Sequence, residues 1–223
     1  MGFRVGFLSL IIFAFVIFLI AGLLTYKGKY NTKYNLKNYF PFELNFKRPY
    51  SENFFGNSAF IIMGISGIAF YSTFDLKFNN YSILVMVIGI ISSLILIALY
   101  FVPLEKIRAH ILIFVISMLC SIVLVMSTFI CSFRMRQFYE EINQKYNFVL
   151  YISMVGSLIV TLIMTGFALN PRLNFNFRLI EETSDDGKTI YKRPKMILPA
   201  FYEWVFIFTF LINTLLVFLL YLA

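Results

Sequence analysis

The sequence predicts an all-α integral membrane protein: six transmembrane helices bundled into a single transmembrane domain over residues 1–223. Three observations predict it. Hydrophobic residues are 60% of the chain and charged residues 13%, where soluble domains run nearer half apolar and a quarter charged. The stretch Ile111–Cys131 holds 21 residues without a charge, roughly 31 Å of helix and close to the thickness of bilayer hydrocarbon. Five further apolar runs surround it, and in lipid a helix satisfies its own backbone groups over such a length.

Val5–Tyr26 is the first span. Its apolar run of about 20 residues is longer than a signal-peptide core and no small-residue cleavage site follows, so a retained helix is expected. Gly6 stands where a myristoylation pattern needs Ser or Thr. Lys27–Gly56 reads as a loop rich in Lys, Tyr and Asn, with Pro41 and Pro49 opposing regular helix. Asn57–Phe74, the second and shortest span, carries Gly64 and Gly67, which let neighbouring helices approach and suit an interior position; a re-entrant segment is the alternative. Asp75-Leu76-Lys77 leads to the third span, Ser82–Val102. The link Pro103–Arg108 is short enough to make the third and fourth helices antiparallel neighbours.

The fourth span is Ala109–Cys131, followed by Ser132-Phe133-Arg134-Met135-Arg136 and a polar connector, Gln137–Asn147. The fifth, Phe148–Leu169, offers Ser153, Gly156 and Ser157 as a packing face and ends at Asn170-Pro171. Arg172–Lys195 is polar; its acidic, glycine-containing run Glu181–Lys188 precedes strand-like Ile190-Tyr191 and predicts an exposed turn or short hairpin. Pro199–Leu222 is the sixth span. No repeat and no second domain are visible, and the loops are too small and polar to bury a core of their own.

The net charge of +8 would suggest nucleic acid in a soluble protein. Here the basic residues lie between apolar spans, so membrane lipid headgroups are the expected counter-charge and nucleic acid is not an expected partner. With six spans both termini share one side, A. Of the 19 Lys and Arg, 5 fall on side A (Arg4, Lys77, Arg134, Arg136, Lys145) and 14 on the opposite side, B. The positive-inside tendency would put side B in the cytosol. The sequon Asn80-Tyr81-Ser82 abuts the third helix, too close to the membrane for glycosylation to be expected. Cys120 and Cys131, 11 residues apart on one helix, are roughly 16 Å apart by rise and cannot bond to each other.

The ionisable residues near the membrane gather on side B. His110, the only histidine, opens the fourth helix; Glu203, in Tyr202-Glu203-Trp204, lies just inside the sixth; Glu52 precedes the second. Carboxylates at the edge of hydrocarbon are costly unless paired, so Glu203 is a candidate partner of His110 or of Arg108. The plainer expectation, which the sequence slightly favours, is that Glu203 reaches headgroup water while Trp204 anchors at the interface. No catalytic, cofactor or metal residues are assigned. One histidine and two cysteines on the same helix do not assemble the three ligands of a catalytic zinc. Ser51, His110 and Glu203 can be drawn as a triad, but a chain with many serines permits such drawings. No G-x-S-x-G, P-loop or H-E-x-x-H is present. A transporter would more often show inverted repeats, broken helices or mid-membrane charge, whereas Asn213 is the only strongly polar residue deep in the sixth helix.

Several short motifs in register resemble the DRAM (damage-regulated autophagy modulator) family, the group that includes Frag- and Sfk-type proteins and shares a CWH-type N-terminal domain. Ser132-Phe133-Arg134-Met135 is similar to that family's S-Y-R-M end of the fourth helix, with Phe for Tyr, and His110 stands where the family has a histidine. Glu52-Asn53-Phe54-Phe55-Gly56 is similar to its acidic residue followed by F-G at the second helix, and Glu203-Trp204 to the E-W or E-Y pair opening its last helix. The chain departs from the family where Asn45–Tyr50 replaces an S-D-T-G-like run, where Thr128 replaces a glutamine, and in a longer loop before the sixth helix. The resemblance implies six helices, termini in the cytosol, against the charge count, and an endomembrane (Golgi or lysosome) or plasma-membrane location. The implied role is to organise membrane lipids or recruit a membrane-protein partner, in autophagy, lipid-kinase regulation or GPI-lipid remodelling. A lipid-modifying enzyme is the competing class, and a small transporter the more distant one.

Overall fold

Runs of apolar side chains with no proline beyond a first turn coil into six helices long and apolar enough to cross a membrane, and the chain is an integral membrane protein. The computed structural model describes residues 2–30, 34–44, 54–76, 80–102, 106–145, 147–173, 180–183, 189–192 and 194–223. The helices are α1 (Gly2–Tyr30), α2 (Phe54–Ser72), α3 (Tyr81–Phe101), α4 (Ile107–Glu141), α5 (Phe148–Ala168) and α6 (Leu198–Leu222). Between α5 and α6, strands β1 (Ile180–Thr183) and β2 (Thr189–Lys192) form an antiparallel hairpin pairing Ile180 with Lys192 and Thr183 with Thr189. The turn alternatives drawn from the acidic run thus resolve to a hairpin, whose turn lies outside the described residues.

Local chemistry sets the helix ends. The Asn147 side chain accepts from the Val149 amide at 3.2 Å and caps α5. Pro199 sits in the first turn of α6, where no amide hydrogen is required. Two sequence boundaries are corrected. α1 continues through Tyr30 into the expected loop. α4 continues to Glu141, so the predicted connector from Gln137 begins as helix: Arg134 donates to Gln137 at 3.0 Å and Arg136 pairs with Glu140 at 2.8 Å, three and four residues on. At 35 residues α4 is about 52 Å long, well beyond hydrocarbon thickness.

Each helix packs on the next, and α6 returns to contact α1 and α4 as well as α5. The second span crosses as a full helix and has the largest buried share of the six. Small residues make that possible. A Cβ on Gly64 would meet Ile97, one on Gly67 would meet Phe210 and Ser93, and one on Gly89 would fall 2.1 Å from the ring of Tyr71. On α5, Ser153 and Ser157 are buried and Gly156 faces Leu216, as the predicted packing face requires. Leu10, Phe13, Leu94, Leu119 and Leu162 point outward, as lipid-facing positions should. On side A, Arg4 donates to the Thr73 carbonyl at 2.8 Å and lies 3.6 Å from the Tyr221 ring, tying α1, α2 and α6 together.

The Tyr71 ring cannot retreat, because its hydroxyl is bound to Thr214 at 3.1 Å. Gly89→Ala should therefore destabilise the protein by about 1–3 kcal/mol through overpacking. Gly166→Ala, with nothing within 4 Å of its added carbon, should be neutral to stabilising. Thermal unfolding of both variants in one detergent checks the contrast.

Candidate functional site

The Val102 carbonyl, at the C-terminal end of α3, lies beside the first turn of α4. His110 Nδ1 lies 2.6 Å from that carbonyl oxygen, and Nε2 lies 2.6 Å from Glu203 Oε1 on α6. A carbonyl can only accept, so Nδ1 carries the hydrogen and Nε2 is left for the carboxyl group. One proton is then shared along the Nε2–Oε1 axis, as imidazolium with carboxylate or as two neutral groups. Either way the pair is net neutral. Both residues are 1% exposed. Burial on this scale is tolerable only because each polar atom has a partner.

The first loop supplies the cover. Phe40, Pro41, Phe42 and Leu44 are buried, the last four residues of this stretch forming a short 3₁₀ turn, Pro41–Leu44. Glu43 accepts from the Phe40 amide at 2.7 Å, closing that turn at its start. The Phe40 and Phe42 rings meet the imidazole edge-on, at 5.6 and 5.7 Å between centroids. Leu44 reaches α1 at Gly22.

The loop is stitched to the start of α6. The Ile197 amide donates to Lys37 O at 2.8 Å and the Trp204 indole N–H to Tyr39 O at 3.1 Å, while within the loop the Tyr34 hydroxyl donates to Phe40 O at 2.7 Å. Burial first, and Glu43 second, raise the Tyr34 hydroxyl well above its usual pKa, so it stays a donor. Beneath the plug, a cavity of about 10 Å³ is lined by Pro41, Phe60, Leu96, Leu99, Tyr100, Glu203 and Ile207, space for about one water.

Two expectations are corrected here. Glu203 does not reach headgroup water, and Trp204, 1% exposed, is no interfacial anchor; the folded-in loop covers both. Of the two partners considered for Glu203, His110 holds it, whereas Arg108 is exposed. Glu52 lies outside the described residues, as does Ser51. A triad built on His110 meets a further obstacle, since its two ring nitrogens are already bound to Val102 and Glu203. Among the described residues no three His, Cys, Asp or Glu side chains gather to hold a metal.

The remaining motif positions scatter. Phe55 is exposed and Gly56 buried at the start of α2; Phe133 is exposed and Met135 buried. Arg134 sits 5.7 Å from the Tyr81 ring on side A. Ser132 joins three helices: it donates to Thr128 O at 2.8 Å and lies 3.1 Å from Ser153 Oγ, which donates to Leu216 O at 2.9 Å. Sequence reasoning missed the plug. Its signal was there, an apolar Phe40-Pro41-Phe42-Glu43-Leu44 set inside a Lys, Tyr and Asn-rich loop. It also missed Tyr71, whose hydroxyl takes Thr214 at 3.1 Å and Asn213 Nδ2 at 3.3 Å.

Removing one partner of a buried pair leaves the other uncompensated, which typically costs about 3–5 kcal/mol. Glu203→Leu and His110→Leu should each lose stability on that scale, and the double variant should lose less than their sum by about 1–3 kcal/mol. Additive losses in thermal or denaturant unfolding would show that the contact carries no coupling.

No protein-family model matches the chain, and neither a curated protein nor a solved structure matches it.

Proposed function

We propose that this chain is a DRAM-like membrane protein that organises membrane lipids or holds a membrane-protein partner, and that it turns over no substrate of its own. The observation that supports this reading is the commitment of the only imidazole. His110 spends both nitrogens on fixing α3, α4 and α6 to one another, and two phenylalanine rings meet it edge-on. A general acid or base needs one nitrogen within hydrogen-bond reach of a reacting group. Here the pair acts as a lock, and the working surfaces are the lipid-facing helices and the loops.

The motifs shared with DRAM-like proteins favour an endomembrane location, Golgi or lysosome, or the plasma membrane, with roles in autophagy, lipid-kinase recruitment or GPI-lipid remodelling. The same motifs favour cytosolic termini.

The purified protein, reconstituted into vesicles containing phospholipid and GPI-lipid substrates, should give no turnover above protein-free vesicles. Turnover that disappears in a folded His110→Gln variant would establish the lipid-modifying enzyme instead. A tagged copy should coincide with Golgi, lysosomal or plasma-membrane markers, and an N-terminal epitope should be reached by antibody only after permeabilisation.

A further inference from the structure

A second cavity lies deeper, between α3, α4 and α6. Its volume is about 20 Å³, and it is lined by Ser92, Leu96, Ser117, Ser121, Leu124, Phe206, Thr209 and Phe210. Ser92 is the twelfth residue of the 21 in α3 and Thr209 the twelfth of the 25 in α6, so the space lies near mid-crossing. Four of its eight lining residues carry hydroxyls, at a depth where apolar side chains are the default.

The hydroxyl of Ser92 is the informative one. Ser92 is 9% exposed, and its Oγ has no hydrogen-bond partner among the described residues. Serine hydroxyls inside helices usually bond back to the carbonyl one turn earlier, as Ser93 does to Gly89 O at 2.8 Å and Thr128 to Leu124 O at 3.0 Å. Ser92 does not, and it lines a cavity whose other hydroxyls have acceptor capacity to spare. Ser117 spends its hydrogen on Phe114 O at 2.7 Å and Thr209 spends its own on Met164 Sδ at 3.2 Å, leaving both oxygens free to accept.

We propose that this cavity is an internal water site within the membrane interior. The water accepts from Ser92 O–H and donates to the oxygens of Ser117 and Thr209, with Ser121 as the further polar neighbour. Donors and acceptors then balance, and the water has the two to four partners that buried waters typically need. Size decides against larger ligands: one water needs about 10–15 Å³ by this measure, whereas small-molecule pockets begin near roughly 300 Å³. Leu96 is the one residue that also lines the smaller cavity at Glu203. The water site therefore abuts the space beside the buried carboxyl group, with the Leu96 side chain between them.

The sign of one substitution tests this. In a dry cavity Ser92→Ala removes an unsatisfied hydroxyl and should raise the unfolding temperature; with water bound it removes that water's donor and should lower it. A higher unfolding temperature overturns the proposal. The second measurement is radiolytic labelling of the full chain in vesicles prepared in ¹⁸O water. Bound water should label Leu96, Leu124, Phe206 and Phe210 several-fold above Phe70 and Phe74, which are fully buried elsewhere, with the fall in the double variant excluding the small difference in exposure as the cause. Labelling should fall to the Phe70 level in Ser92→Ala/Ser121→Ala. Equal labelling in the native chain, no fall in the double variant, or an acyl chain seated in the space each sinks the idea.

Discussion

The carboxyl group of Glu203 enters the bundle five residues beyond Leu198 at 1% exposure, and hydrocarbon supplies nothing to solvate it. Its partner has to come from the protein. His110 provides it, but an imidazole has a second nitrogen that needs satisfying at the same depth, and the Val102 carbonyl at the end of α3 meets it. The aromatic plug covers the pair, and Lys37 and Tyr39 help hold it by offering backbone carbonyls to Ile197 and Trp204, while Tyr34 ties the loop to itself at Phe40. One desolvated acid thus orders the first loop and the side-B ends of α3, α4 and α6.

Further from side B the same rule recurs with weaker groups. Tyr71 meets Thr214 and Asn213, and Ser132, Ser153 and the Leu216 carbonyl form a chain across three helices. Hydrogen bonds between helices in lipid average about 0.6 kcal/mol, reaching roughly 1.7. They fix rotation and register more than they hold the bundle together. Close packing does the latter, with Gly64, Gly67 and Gly89 opening room for Ile97, Phe210 and Tyr71.

The crossings were readable because hydrocarbon imposes one dominant selection, long apolar runs, that leaves little ambiguity in the sequence. His110 and Glu203 stood out for the complementary reason, as ionisable groups beside such runs. What could not be read was where the loop would go. Phe40 and Phe42 look like ordinary loop aromatics until α1 and α6 are placed, and Trp204 carries the amphipathic signature of an interface residue whether or not a loop covers it. The end of α4 was misplaced because the charged residues Arg134, Arg136 and Glu140 suggest solvent, and in this chain the helix simply carries on into it. Ser132 is legible as a motif position, whereas its bridging of three helices depends on contacts more than twenty residues away.

That continuation of α4 has a mechanical meaning. The ten residues from Ser132 to Glu141 carry the helix about 15 Å beyond Cys131, starting inside the bundle, where Ser132 meets Ser153, and reaching the level of Ala223 at Tyr139. Tyr139 braces this post by donating to the backbone of Ala223 at 3.3 Å, so the C-terminus of α6 props it sideways. The far end of α4 is therefore held level with the C-terminal end of α6, on a rod whose opposite end carries the residue that clasps Glu203.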